Sequence, residues 1–214
     1  MAGEPESLST DEPLDRRVER HGYDRLLMLS DGVFAIAITL LALELRPPAG
    51  WRGGFAELFA KASNAWAGYL IGFMIVSAFW AVHRRVFARL VRADGGAIAL
   101  SLVLLCLVAA SPAVARLMAE HGPRQTLPIY AALIVAMGIV HTLLWLYAMA
   151  RPAMLHPDLT RRQSIAFALE LALPAAGFGL LLIGWSEGAN AFSPAALLTV
   201  VAIVAAGRRL LRRT

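Results

Sequence analysis

The sequence predicts an all-α, polytopic membrane protein with six transmembrane helices per subunit and both termini in the cytoplasm. Three observations carry that prediction. The 214 residues are 58% hydrophobic and only 16% charged, too apolar and too charge-poor for an ordinary soluble domain. Six apolar runs, at about 26–45, 62–82, 97–117, 127–150, 164–184 and 190–207, reach or approach the roughly 20 residues that a helix needs to cross a bilayer. Finally, Lys and Arg sort by side. Fifteen of the twenty lie in the N-terminal region, the second and fourth connections and the C-terminus, against five on the opposite side, and the positive-inside bias places the fifteen in the cytoplasm.

Residues 1–24 are polar and rich in acids. They lack the early apolar run and small-residue cleavage site of a signal peptide, so they are expected to form a disordered cytoplasmic tail. Residues 25–209 are then a six-helix membrane domain, and 210–214 a basic C-terminal end. Arg46-Pro47-Pro48 closes the first run and His156-Pro157-Asp158 follows the fourth. The last run is the shortest; Ser193-Pro194 suits its start, and Arg208 and Arg209 mark its end.

Composition also excludes functions. The net charge of +5 and pI of about 10.1 come from arginines clustered between apolar runs, which are topology signals and leave no basic face for nucleic acid. The single cysteine, Cys106, lies in an apolar run, so no internal disulfide and no cysteine metal site are expected. There is no clustered metal-ligand spacing, no Gly-rich phosphate loop and no nucleophile with an evident base. No enzyme activity and no cofactor are expected.

Polar residues inside the spans are few, and a charged one is costly unless something offsets it. In the first run, Ser30 and Asp31 stand close to its start. At helical spacing Asp31, Phe34, Ala35, Ile38 and Ala42 share one face, while Ile36, Leu40 and Leu43 fall nearly opposite with Thr39 beside them. That aliphatic stripe suits lipid contact, or a pore wall in which symmetry-related copies bring Ile36, Thr39, Leu40 and Leu43 into constricting rings. The second run ends Phe79-Trp80-Ala81-Val82-His83, and its direction puts His83 at the depth of Asp31. A hydrogen-bonded network of Arg25, Ser30, Asp31, Trp80 and His83 is expected there, as helix glue. His141 and Glu170 also come out at matching depths and form a possible proton-linked pair. Gly68 and Gly72 have the spacing for close helix approach. Pro174, Gly177 and Gly179 allow a kink in the fifth helix.

From Arg25-x-x-x-Leu29-Ser30-Asp31 onward the chain resembles the endosomal and lysosomal potassium channel family, the transmembrane protein 175 type, and in particular its short prokaryotic members. Phe79-Trp80-x-x-His83-x-x-x-Phe87, Pro112, Tyr130 and Trp145-x-Tyr147 follow in order. The likeness runs from Tyr23 to Arg209. Leu29 replaces a usual phenylalanine, and Ser101 replaces an asparagine that would belong to the Asp31 and His83 network. The resemblance implies a potassium-preferring cation channel in the cell membrane, with the first helix lining the pore. It also implies constrictions at Ile36, Thr39 and Leu43, and a homotetramer of single six-helix units. Potassium ions, bilayer lipid and further copies of the chain are then the partners, with potassium as the permeant ion and no resident metal. The competing reading is a proton-coupled transporter or proton leak using Asp31, His83, His141 and Glu170.

Overall fold

The computed structural model describes residues 14–47, 50–186, 188 and 193–212. Regular structure among them is helical, apart from one isolated antiparallel bridge between Leu90 and Leu155. In chain order the helices are α1 (Leu14–Ala42), α2 (Phe55–Lys61), α3 (Ser63–Phe87), α4 (Gly95–Ala109), α5 (Ser111–His121), α6 (Pro123–Met149), α7 (Arg161–Ser186) and α8 (Pro194–Arg212). A 3-10 turn at Pro152–Met154 precedes α7. Because α1 begins at Leu14, part of the stretch expected as a disordered tail is helical, and residues 1–13 lie outside the described residues. So do residues 190–192 of the expected sixth run, Pro48, and Arg213 and Thr214 of the basic end.

Among the described residues, five helical stretches are long and apolar enough to cross a membrane: Gly22–Ala42, Ser63–Phe87, Gly95–His121, Pro123–Met149 and Arg161–Ser186. The chain is a multi-pass membrane protein on that ground. The sixth expected span is shorter: the apolar part of α8 is Ala195–Gly207, below the roughly 20 residues of a straight crossing.

The third stretch is broken. Ala110 joins α4 to α5, and Pro112 stands in the first turn of α5, where its missing N–H would otherwise interrupt the hydrogen-bond ladder of one long helix. The entry to α6 is set by Gly122, whose φ of 76° is a conformation that side chains other than glycine's rarely adopt.

Small residues bring the helices together. A Cβ on Gly68 would lie 2.8 Å from the Ala115 carbonyl oxygen, and one on Gly72 would lie 2.7 Å from Leu41 Cδ2. The expected close approach therefore docks α3 on α5 and α1. Tyr130 staples the same region, donating its hydroxyl proton to the Gly68 carbonyl at 3.0 Å. Gly138 meets Ala175 across the α6 and α7 pair, and Gly177 meets Val200 across α7 and α8.

Two apolar clusters form the core. One gathers Phe34, Leu41, Val76, Leu104, Met118 and Met137. The other, toward the arginine-rich end, gathers Leu26, Val86, Phe87, Leu144, Trp145 and Phe167. Trp145 anchors the second cluster, crossing edge-on to Phe167 and donating its indole N–H to the Ser164 carbonyl at 2.9 Å, so burying this large ring leaves no polar atom stranded.

Candidate functional site

The site is built on α1, whose two sides do different work. Leu26, Ser30, Phe34, Ala37 and Leu41 are each at most 5% exposed. They recur at the three- and four-residue spacing that makes one helix face, and that face packs against α3, α4 and α5. The opposite side is open. Ile36 is 59%, Leu40 42% and Leu43 63% exposed, and Thr39 is exposed beside them. The Thr39 hydroxyl donates to the Ile36 carbonyl at 2.9 Å. Leu43 lies just past the end of α1, in a turn tightened by the bonds from Leu43 N to Leu40 O and from Glu44 N to Leu41 O. Glu44 borders a polar cavity of about 270 Å³ with Arg46, Lys61, Arg116 and Glu120.

The buried face is not the one carrying Asp31. Its carboxylate is exposed, at the border between the packed side of α1 and the open one, and not turned into the subunit as its partnership with Phe34 on the helical wheel suggests. Burying a carboxylate costs several kcal/mol even when paired, whereas the border position lets the charge keep an open side. There Asp31 Oδ1 accepts a 2.8 Å hydrogen bond from Trp80 Nε1. The Arg84 guanidinium lies over the Trp80 ring, 5.0 Å from its centroid, a cation–π contact.

Of the expected network, the hydrogen bond between Asp31 and Trp80 is formed. Ser30 and Ser101 instead bond back along their own helices, to the Leu26 carbonyl at 2.7 Å and the Ala97 carbonyl at 2.8 Å. Short hydroxyl side chains reach their own preceding turn more readily than a neighbouring helix. Arg25 is exposed. His83 is buried among rings, with centroids 5.6 Å from Phe34, 4.6 Å from Phe87 and 5.6 Å from His141. Neither of its nitrogens has a hydrogen-bond partner among the described residues, so it does not cap the Asp31 carboxylate.

The expected pair of His141 and Glu170 is not joined by a hydrogen bond to either His141 nitrogen. Both Glu170 oxygens are engaged by Arg85, at 2.6 and 2.7 Å, in a bidentate pair. His141 stacks on Phe79, 5.6 Å between centroids. A planar guanidinium presents two parallel donors that an imidazole does not, and its long stem reaches across from the last turn of α3. The Arg85 and Arg89 guanidinium groups also lie over the Phe167 ring, at 5.0 and 4.2 Å. Sequence reading counted Arg85 only as a topology charge.

A second polar knot escaped the sequence reading. Asp94 caps α4 through a 3.0 Å bond from the Ala97 N–H, accepts from the Tyr147 hydroxyl at 3.0 Å and pairs with Arg151 Nε at 3.3 Å. Partial burial raises the Asp94 pKa, but these donors and the Arg151 charge together hold the carboxyl below its ordinary value. The Asp94-Gly95-Gly96 start of a helix was a legible capping signal. The partnership with Tyr147 was not, since it spans 53 residues.

Among the described residues, no group of three or more His, Cys, Asp or Glu side chains is placed to hold a metal ion. The geometry offers an aliphatic and hydroxyl surface along one helix, with charge only at its ends.

Comparison with known proteins gives this surface a context. The family model described as the endosomal/lysosomal potassium channel TMEM175 matches residues 25–112, from the first turn of the α1 span into the first turn of α5. A potassium channel of Streptomyces collinus is 30% identical over 162 residues, 73% of this chain and 79% of that protein. A potassium channel of Chamaesiphon minutus is 30% identical over 169 residues, 76% of this chain and 82% of its own length. The human endosomal/lysosomal proton channel TMEM175 is 29% identical over 144 residues, with only 28% of its length matched. The crystal structure of a lysosomal potassium-selective channel TMEM175 homolog from Chamaesiphon minutus superposes with a TM-score of 0.65. That superposition covers 90% of this chain and 96% of the other at 24% identity, and establishes the fold. With two bacterial relatives matched at this identity over most of their length, the chain belongs to the TMEM175 endosomal/lysosomal potassium channel family.

Proposed function

We propose that the chain is a potassium-preferring cation channel of the cell membrane, assembled as a homotetramer with α1 of each subunit lining the pore. Both termini then lie in the cytoplasm, and α8 serves as the sixth membrane helix. The observation that carries this reading is the open side of α1. Ile36, Thr39, Leu40 and Leu43 face away from the subunit core, along the helix that opens the family match.

Rings of such side chains select by dehydration. An ion entering an aliphatic constriction loses water, and potassium, the more weakly hydrated ion, loses less free energy than sodium, which gives a modest preference. Because the Thr39 proton is already donated to Ile36, the hydroxyl oxygen has lone pairs to offer a cation. The test is potassium-driven flux in liposomes. Ile36→Asn is expected to raise flux and weaken the preference over sodium, and Leu43→Ala to widen the outer ring. Absence of flux, or flux indifferent to both substitutions, overturns the pore assignment.

A second reading, proton movement, is favoured by one observation. The human relative is named a proton channel, and this chain holds His83, His141 and Glu170 buried within its spans. It predicts flux that depends steeply on pH and is abolished by Glu170→Gln. The potassium channel predicts little change in flux there.

A further inference from the structure

One side of the bundle carries an open furrow. Helices α3, α6, α7 and α8 surround a cavity of about 330 Å³ whose walls include Leu70, Met74, Leu127, Ile134, Phe178 and Val201. Tyr130 also lines it, but its hydroxyl is turned onto the Gly68 carbonyl at 3.0 Å. The described walls therefore present apolar surface, and Leu70, Met74 and Val201 are each more than half exposed. The gap is left open because α8 is seated on α7. A Cβ on Gly177 would lie 2.9 Å from Val200 Cγ1, and one on Gly207 would lie 2.9 Å from Leu173 Cδ1, the close approach that small residues permit between membrane helices.

The direction of the furrow matches a lipid chain. Leu70 and Met74 stand seven and eleven residues into the span Ser63–Phe87, and Leu127 and Ile134 four and eleven residues into Pro123–Met149. At about 1.5 Å per residue the furrow runs from roughly 6 to 16 Å beneath the ends of these spans, the extent of one leaflet of a hydrocarbon core about 30 Å thick. That leaflet is the one opposite the arginines in the last turn of α3. Water would find no partner in such a furrow, and an empty gap forfeits dispersion contacts that a flexible hydrocarbon chain supplies.

The furrow also faces away from α1. Gly72 packs on Leu41 of α1, and Leu70 and Met74, each two residues from Gly72, stand about 160° around α3 from it. In the proposed tetramer the copies meet at α1, which leaves the furrow to the bilayer and not to a neighbouring subunit; this step rests on the pore reading. We propose that the furrow is a binding site for one acyl chain of a phospholipid in that leaflet.

The full-length protein is reconstituted in phosphatidylcholine vesicles containing a trace of phosphatidylcholine with a diazirine midway along one acyl chain, irradiated, and its adducts mapped by mass spectrometry. Leu180 and Ile183, exposed on α7 in the same leaflet and outside the furrow, report ordinary lipid contact. The yield at Leu70 and Met74 is expected to exceed theirs by roughly fivefold, the effect of about ten extra carbon contacts. Val201→Trp and Met74→Trp each fill the furrow from an exposed wall position, and either should bring the yield at Leu70 down to the Leu180 level. Leu180→Trp should leave the yield at Leu70 unchanged. Equal wild-type yields inside and outside the furrow, or a Leu70 yield unmoved by both fillings, overturn the proposal. A wild-type Leu70 yield below that at Leu180 means that another copy covers the furrow, and overturns it as well. Labelling is read without ion flux, so failure of the lipid site and failure of the pore assignment are seen separately.

Discussion

Trp80 Nε1 donates to Asp31 Oδ1 at 2.8 Å across the α1 and α3 interface, so the charge midway along the α1 span is held by an indole of the neighbouring helix. A hydrogen bond to a charged acceptor contributes about 1.5–3 kcal/mol. Trp80→Phe should therefore lower the melting temperature of the detergent-purified protein, and Asp31→Ala should reduce the yield of the proposed homotetramer on size-exclusion chromatography, both with ion preference unchanged. Normal assembly with altered preference would show instead that the aspartate meets ions.

Gly68 and Gly32 make opposite predictions in one sequence. A Cβ at Gly68 would lie 2.8 Å from a backbone oxygen of α5, whereas one at Gly32 would meet nothing within 4 Å. Gly68→Ala must push α3 from α5 and should cost about 1–3 kcal/mol. Gly32→Ala should leave the subunit unharmed, because alanine is the better helix former. Thermal unfolding of the two variants in the same detergent compares them. Loss of assembly in Gly32→Ala with intact subunit helicity would place a neighbouring copy against that side of α1.

The Arg85 and Glu170 pair separates stability from transport. Glu170 is nearly inaccessible, with its side chain 4% exposed, and removing one partner of a buried pair leaves the other charge uncompensated, at about 3–5 kcal/mol. Glu170→Gln should cut the yield of folded protein. Its potassium flux per reconstituted channel should equal that of the wild type, a comparison that also tests the proton reading.

Asp94 makes the fold acid-sensitive at one end. Its folded pKa is depressed, so the stabilisation it provides is fully present above the unfolded value near 4 and is lost as pH falls through the lower, folded value. Asp94→Asn should melt below the wild type at neutral pH, and the two curves should converge as pH falls through that acid window. Parallel curves across the range would remove Asp94 as the cause.

Much of the architecture was legible because hydropathy and helical spacing belong to one segment at a time. The first five spans, the exposed stripe of Ile36, Leu40 and Leu43, and the Gly68 and Gly72 contact follow from local pattern. Partner choice was less legible. Depth matching joined Glu170 to His141, but Arg85, from the last turn of α3, has the reach and the paired donors to take both oxygens.

By itself, then, the sequence determined the first five membrane-spanning segments and which of their residues share a helical face, since both depend on composition and on 3.6-residue periodicity alone. Tertiary structure decided how far each face is rotated toward its neighbours. It set α1 so that Phe34 and Leu41 are buried and Asp31 stays at the border with Trp80. It also paired Glu170 with Arg85 and drew Asp94, Tyr147 and Arg151 into one knot. The reason is geometric: the rotation, depth and separation of two packed helices are joint properties, fixed by how all their side chains interlock, and no single helix encodes them.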